Sequence, residues 1–137
     1  MTEQPLAHRT RIKICGLTRE QDVEAAVDAG ADAVGFVLYA KSPRFVDAQR
    51  AAQLARLLPP FVTPVLLFVN EPVESVQAAC ELVPAAMLQF HGDETPDYCR
   101  EAAGNRPYLR AARPAAARAP TCAPPGSPWT RPPPLTC

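Results

Sequence analysis

The stretch RIKICGLTREQDVEAAVDAGADAVGFVLY, residues 11–39, decides how the chain is read. RIKIC alternates polar and apolar side chains with a period of two, which suits a strand. REQDVEAAVDAG (19–30) has helical periodicity, with Thr18 expected as N-cap, Gln21 as its capping-box partner, and Gly30 free to end the helix in the left-handed region. DAVGFVLY (32–39) returns to a strand. Strand, helix, strand within thirty residues is one βαβ unit.

The pattern repeats along the chain. DAQRAAQLARLL (47–58) predicts a helix capped by Asp47 and stopped before Pro59 and Pro60, with Ala51, Leu54, Leu57 and Leu58 as its apolar stripe. PVLLFVN (64–70) is a continuous apolar strand, as expected for one buried on both faces. Pro72 can open a third helix whose buried face carries Val73, Val76 and Cys80. AAMLQFH (85–91) is a fourth strand, Thr95-Pro96 to Gly104 a fourth helix, and RPYLRAAR (106–113) a weaker fifth strand. Strands alternating with helices at this spacing form right-handed crossovers and a parallel sheet. Two architectures meet the pattern, an open doubly wound sheet and an eight-stranded barrel of which five strands would be a part.

Composition limits the function classes. The 137 residues suffice for one domain with a core. Formal charge is zero, so no broad basic surface argues for nucleic acid. Up to Glu101 nine basic residues face all fourteen acidic ones, a net of −5, and five arginines follow. Residues 114–137 hold eight prolines and no acidic residue, and are expected to be disordered. Residues 1–10 are expected to be a flexible N-terminus with no secretory h-region, and no run is long enough to cross a membrane. Five widely spaced cysteines without C-x-x-C argue against a disulfide framework or structural zinc, and fit a reducing cytoplasm.

Three side chains stand at strand ends. Parity in RIKIC puts Ile12 and Ile14 under the helices and Lys13 and Cys15 on the opposite face, with Cys15 at the strand's carboxyl tip. A thiol there can serve as general base once deprotonated, or can be a small buried hydrophobe. Arg44, in the loop YAKSPRFV (39–46), can clamp a carboxylate or be a solvated surface arginine. His91, in QFHGDE (89–94), shares a face with Gln89 and would reach the same rim, or be a hydrogen-bonded core histidine.

In combination, KICGLT, GADAVGFVLYAKSPRFV, PPFVTPVLLFVNEP and LQFHGDE closely resemble the phosphoribosylanthranilate isomerase family, without a break from about Arg11 to Arg113. The resemblance implies a (β/α)8 barrel, here about five βα units over residues 11–113. It also implies a tryptophan-pathway Amadori rearrangement of N-(5-phosphoribosyl)anthranilate to a deoxyribulose phosphate, with no metal or organic cofactor. Cys15 matches the family's general base, Arg44 its carboxylate-binding arginine, and His91 a site-lining histidine, with Phe90 in place of the usual leucine. The phosphorylated sugar–anthranilate is the expected partner, with no nucleic acid or membrane, and open barrel edges would favour self-association. The family's general acid follows strand six and its phosphate site strands seven and eight, and this sequence has no matching residue for either. A truncated or frame-shifted, catalytically inactive fragment of the enzyme is therefore one alternative expectation. A small open-sheet binding module is the other, although no G-x-G-x-x-G or P-loop follows any strand.

Overall fold

The computed structural model describes residues 9–111. Five strands and four helices alternate: β1 (Lys13–Cys15), α1 (Glu20–Asp28), β2 (Ala33–Val37), α2 (Ala48–Ala55), β3 (Thr63–Phe68), α3 (Val73–Leu82), β4 (Met87–Phe90), α4 (Pro96–Ala103) and β5 (Tyr108–Arg110). The expected tail, residues 114–137, and residues 1–8 of the expected N-terminal segment lie outside the described residues.

All four strand pairings are parallel, and the sheet order is β1-β2-β3-β4-β5. A doubly wound sheet reverses its strand order midway to place helices on both faces. Strictly sequential order with right-handed crossovers puts every helix on one side. The sheet is also curled. Lys13 Nζ in β1 donates to Gln89 Oε1 in β4 across the face away from the helices. In a flat sheet those strands would lie about 14 Å apart. Sequential order and curl together make this the wall of a barrel and remove the doubly wound alternative.

The core sits between the sheet and its helices. Val34, Phe36, Leu66, Phe68, Leu88 and Phe90 point at the helices and are essentially inaccessible. Burying each such side chain contributes about 1.5–3 kcal/mol. Phe90 meets Tyr98 and Tyr108 edge-on, with ring centroids 5.7 and 5.8 Å away. The Phe90 ring thus fills the space between α4 and β5.

Helix ends follow the sequence with one exception. Asp47 accepts the N–H of Arg50, Thr95 accepts that of Tyr98, and Gly30 ends the α1 segment at a φ of 87°. Thr18, however, does not cap α1. Arg19 occupies that position without a side-chain cap bond, and the Thr18 carbonyl instead accepts from Arg50. Ile12 and Ile14 also depart from expectation, remaining 47% and 39% exposed. Their parity is as read, but β1 is an edge of the described sheet and pairs only with β2, so among the described residues that face is only partly covered. Leu57 lies beyond the end of α2 and is exposed as well.

Candidate active site

The carboxyl ends of all five strands share one rim, and the polar side chains gather there. Cys15 ends β1 and is half-buried. The turn after it is fixed by one acceptor: the Gly35 carbonyl in β2 takes the N–H groups of Gly16 at 2.7 Å and Leu17 at 3.3 Å. Gly16 has a φ of 85°, a left-handed value that glycine adopts at no steric cost. The turn therefore leads the chain sharply off the strand tip and leaves the thiol at the rim.

The loop after β2 brings Arg44 back onto that turn. Val46 N–H donates to the Val37 carbonyl at 2.9 Å, and Ser42 Oγ accepts the Arg44 N–H at 3.1 Å. The Arg44 guanidinium then donates from Nη1 to the Cys15 carbonyl at 3.1 Å. It lies directly over Gly16, where a Cβ would stand 2.7 Å from Nη1. Cys15 and Arg44, 29 residues apart in sequence, are thus in contact at one strand tip. Among the described residues the remaining donors of the planar fork have no partner, and they can meet an anion near the strand tip.

His91 lies elsewhere on the rim. Its backbone N–H donates to the Phe68 carbonyl at 3.0 Å, which sets it just beyond the end of β4, and its side chain is exposed. With Tyr39, Asn70, Asp93 and Arg110 it lines a cavity of about 390 Å³. Cys15 and Arg44 do not line that cavity, so the three expected residues divide into a contacting pair and a separate histidine on the same rim.

A buried carboxylate holds the histidine side together. Glu94 is 5% exposed and accepts the N–H of Asn70 and of Gly92, both at 2.8 Å. The Asn70 side chain in turn accepts the Asp93 N–H at 2.9 Å, and Arg110 Nε donates to the Glu94 carbonyl at 2.9 Å. The loops after β3 and β4 and the end of β5 therefore meet on one residue. The sequence offered no sign of this. An acidic residue in GDE reads as loop charge, and its partner lies 24 residues away. Lys13 and Gln89, joined across the barrel interior 76 residues apart, were equally hidden.

The other two described cysteines show what a packing thiol looks like. Cys80 and Cys99 are fully buried in the helix layer, and burial pushes both thiols up from the ordinary cysteine value. That favours the inert protonated form. Among the described residues, no cluster of three His, Cys, Asp or Glu side chains could hold a metal ion, and no helix is long and apolar enough to cross a membrane.

A one-sided, sequentially ordered βα wall with its polar groups at the carboxyl rim is the construction of (β/α)8-barrel enzymes. Residues 12–118 match the family described as N-(5'-phosphoribosyl)anthranilate (PRA) isomerase, and the chain belongs to that family. Over 105 residues it is 70% identical to the N-(5'-phosphoribosyl)anthranilate isomerase of Methylibium petroleiphilum, covering 77% of this chain and 48% of that protein. The crystal structure of phosphoribosyl anthranilate isomerase from Thermotoga maritima superposes with a TM-score of 0.71 at 39% identity, covering 74% of this chain and 50% of that one. A second crystal structure of the isomerase, in complex with reduced 1-(o-carboxyphenylamino)-1-deoxyribulose 5-phosphate, gives the same TM-score and identity, covering 74% of this chain and 53% of that one. The chain spans about half the length of the curated relatives it matches.

Proposed function

We propose that this chain carries the base-and-carboxylate side of an isomerase that converts N-(5-phosphoribosyl)anthranilate to 1-(2-carboxyphenylamino)-1-deoxyribulose 5-phosphate. Cys15 is the general base. As thiolate it takes the proton from C2 of the opened sugar, after an acid has protonated the ring oxygen. The electron pair released forms the C1–C2 double bond and neutralises the protonated imine nitrogen. The resulting enolamine becomes the C2 ketone by gaining a proton at C1 and losing the C2 hydroxyl proton. Arg44 binds the anthranilate carboxylate, and His91 lines the site. The observation that carries this reading is the Arg44 bond to the Cys15 carbonyl, which sets an anion-binding fork beside a thiol at a strand tip. A substrate held there by its carboxylate has its sugar next to the base, and such positioning supplies much of the barrier reduction.

Support also comes from the relative solved with a carboxyphenylamino-deoxyribulose phosphate, whose aromatic carboxylate and sugar phosphate are the two anionic ends such a site must meet. By resemblance, the acid and the phosphate loops belong to strands six to eight, for which this sequence has no matching residue. The working unit is residues 11–113, its partner a small phosphorylated sugar–anthranilate, and its compartment the cytoplasm, with no metal, cofactor, nucleic acid or membrane taking part. Among the described residues β1 and β5 each pair with a single neighbour, and association between copies through those edges belongs to the same proposal.

The test joins residues 1–111 to the C-terminal half of the Methylibium relative and follows the loss of anthranilate-substrate fluorescence, with the 137-residue chain alone as the base line. Cys15→Ser in the chimera is expected to lower kcat about 10²–10⁴-fold, the usual worth of a general base. Arg44→Ala should chiefly raise KM. A fully active Cys15→Ser chimera refutes the assignment of the base.

A further inference from the structure

Gly35 sits in the middle of β2, where a glycine costs a strand roughly 0.5–1 kcal/mol against alanine. Its backbone does not call for one. Gly35 is absent from the glycines with positive φ, so its conformation is open to any residue. What it lacks is space. A Cβ on Gly35 would stand 2.8 Å from Cys15 Sγ, 3.2 Å from Cys15 Cα and 3.3 Å from Cys15 Cβ. The two residues are direct neighbours in the β1–β2 register, and Gly35 is buried. The sulfur therefore rests in the hollow where every other amino acid would place its first side-chain atom. The same residue's carbonyl binds the turn that follows the thiol.

We propose that Gly35 is the positioning residue for the Cys15 thiol: the missing side chain forms the seat that aims the sulfur along the rim, and the carbonyl fixes the turn beside it. The proposal rests on the reading of Cys15 as the base. It adds that the glycine in AVGFV is selected by the thiol across the strand pair, not by packing of the sheet. An added methyl leaves the sulfur two choices. It rotates out of the seat, so that the fold survives with the thiol displaced, or it stays and forces β1 away from β2.

The experiment uses the full chain and needs no turnover, so its failure is separable from failure of the isomerase reading, which the Cys15→Ser chimera tests. Iodoacetamide labelling of the Cys15 peptide is followed by mass spectrometry across pH in the parent and in Gly35→Ala, with Cys80 and Cys99 as internal references. Gly35→Ala is expected to change the labelling rate of Cys15 at least about threefold, because thiol reactivity follows its surroundings, and to leave Cys80 and Cys99 unchanged. An identical rate and pH profile at Cys15 overturns the proposal. If Gly35→Ala fails to fold, the double variant with Cys15→Ala decides. Removing the sulfur eliminates the 2.8 Å clash and leaves only the contacts at 3.2 and 3.3 Å. Recovery of the fold supports the proposal. A double variant that is equally unfolded shows that the glycine answers to the backbone, and overturns it.

Discussion

The two ends of this sheet are built from different materials. At the carboxyl ends Cys15, Arg44, Asn70, His91, Glu94 and Arg110 converge, and nearly every loop is tied to another by a named hydrogen bond. At the amino ends a larger cavity, about 610 Å³, lies between the loops that enter β3 and β4. Prolines 59, 60 and 84 line it with aliphatic side chains, and Arg56 and Thr63 are its only polar residues. The proposed reaction moves protons on an anionic substrate and calls for donors and acceptors near a base, and the carboxyl rim is the end that carries Cys15, Arg44 and His91. The carboxyl end ties the loops after β2, β3 and β4 to neighbouring strands and loops. The side-chain ties of the amino end centre instead on Asp32, which accepts from Arg9 and from the Ile12 N–H, and the cavity there is lined by apolar contact.

The sharpest way to break that contrast is to cut the tie at Glu94. Glu94→Ala leaves the part-buried N–H groups of Asn70 and Gly92 without their acceptor. Water can reach both groups in part, so each should cost the low end of about 1–3 kcal/mol, and the loss of about 2 kcal/mol in all is read as a lower urea midpoint. Glu94→Gln retains one good acceptor and should lose about half as much. Amide exchange at residues 70 and 92 should quicken in both variants. If Glu94→Ala unfolds within about 0.5 kcal/mol of the parent, the rim is not held as described.

How far the sequence could be read divides along the same line. Strand and helix order was legible because it is local: apolar runs, proline stops, and caps such as Asp47 and Thr95 sit within a few residues of what they control. Cys15, Arg44 and His91 were legible as motif residues at strand ends. The contacts that make a site of them were not, since Lys13–Gln89, Glu94–Asn70 and Cys15–Gly35 are brought together by the curl of the sheet and its register. A glycine inside a strand does signal a close approach, but nothing in AVGFV says by what. Ile12 and Ile14 failed the other way: alternation tells which face a residue takes, and whether anything covers that face is a tertiary fact.

The amino end offers a smaller test of opposite sign. Phe61 is 99% exposed and holds a φ of 71°, so its ring buries almost nothing while its Cβ strains the loop. Asparagine tolerates that region far better. Phe61→Asn is expected to stabilise the fold by about 0.5 kcal/mol, and to leave the Cys15 labelling rate untouched. A destabilised Phe61→Asn would mean that the ring is seated on something and that its contacts help to hold this loop.

The smallest effect probes the outer surface near the rim. Arg50 on α2 donates to both carboxylate oxygens of Glu20 on α1, at 2.6 and 2.8 Å, and to the Thr18 carbonyl at 3.2 Å. The Arg50 hydrogen bond, aided by a backbone bond, holds the Glu20 carboxyl down to about 2 from an ordinary value of 4.5. A carboxyl lowered by folding contributes stability that is fully present above its unfolded value and is lost as the pH falls through its folded one. The contribution should therefore be constant above about pH 5 and fade toward pH 2. Because the pair is exposed, solvent and salt screen it, and the whole effect should be small and smaller still at high ionic strength. Glu20→Gln provides the reference, being neutral throughout. Urea midpoints of parent and variant should differ slightly near neutral pH and converge by about pH 2, where the parent's carboxyl is itself becoming neutral. A gap that persists undiminished at pH 2 would show that the link between α1 and α2 rests on shape rather than charge, and that the polar ties of the rim do not extend to the helices flanking it.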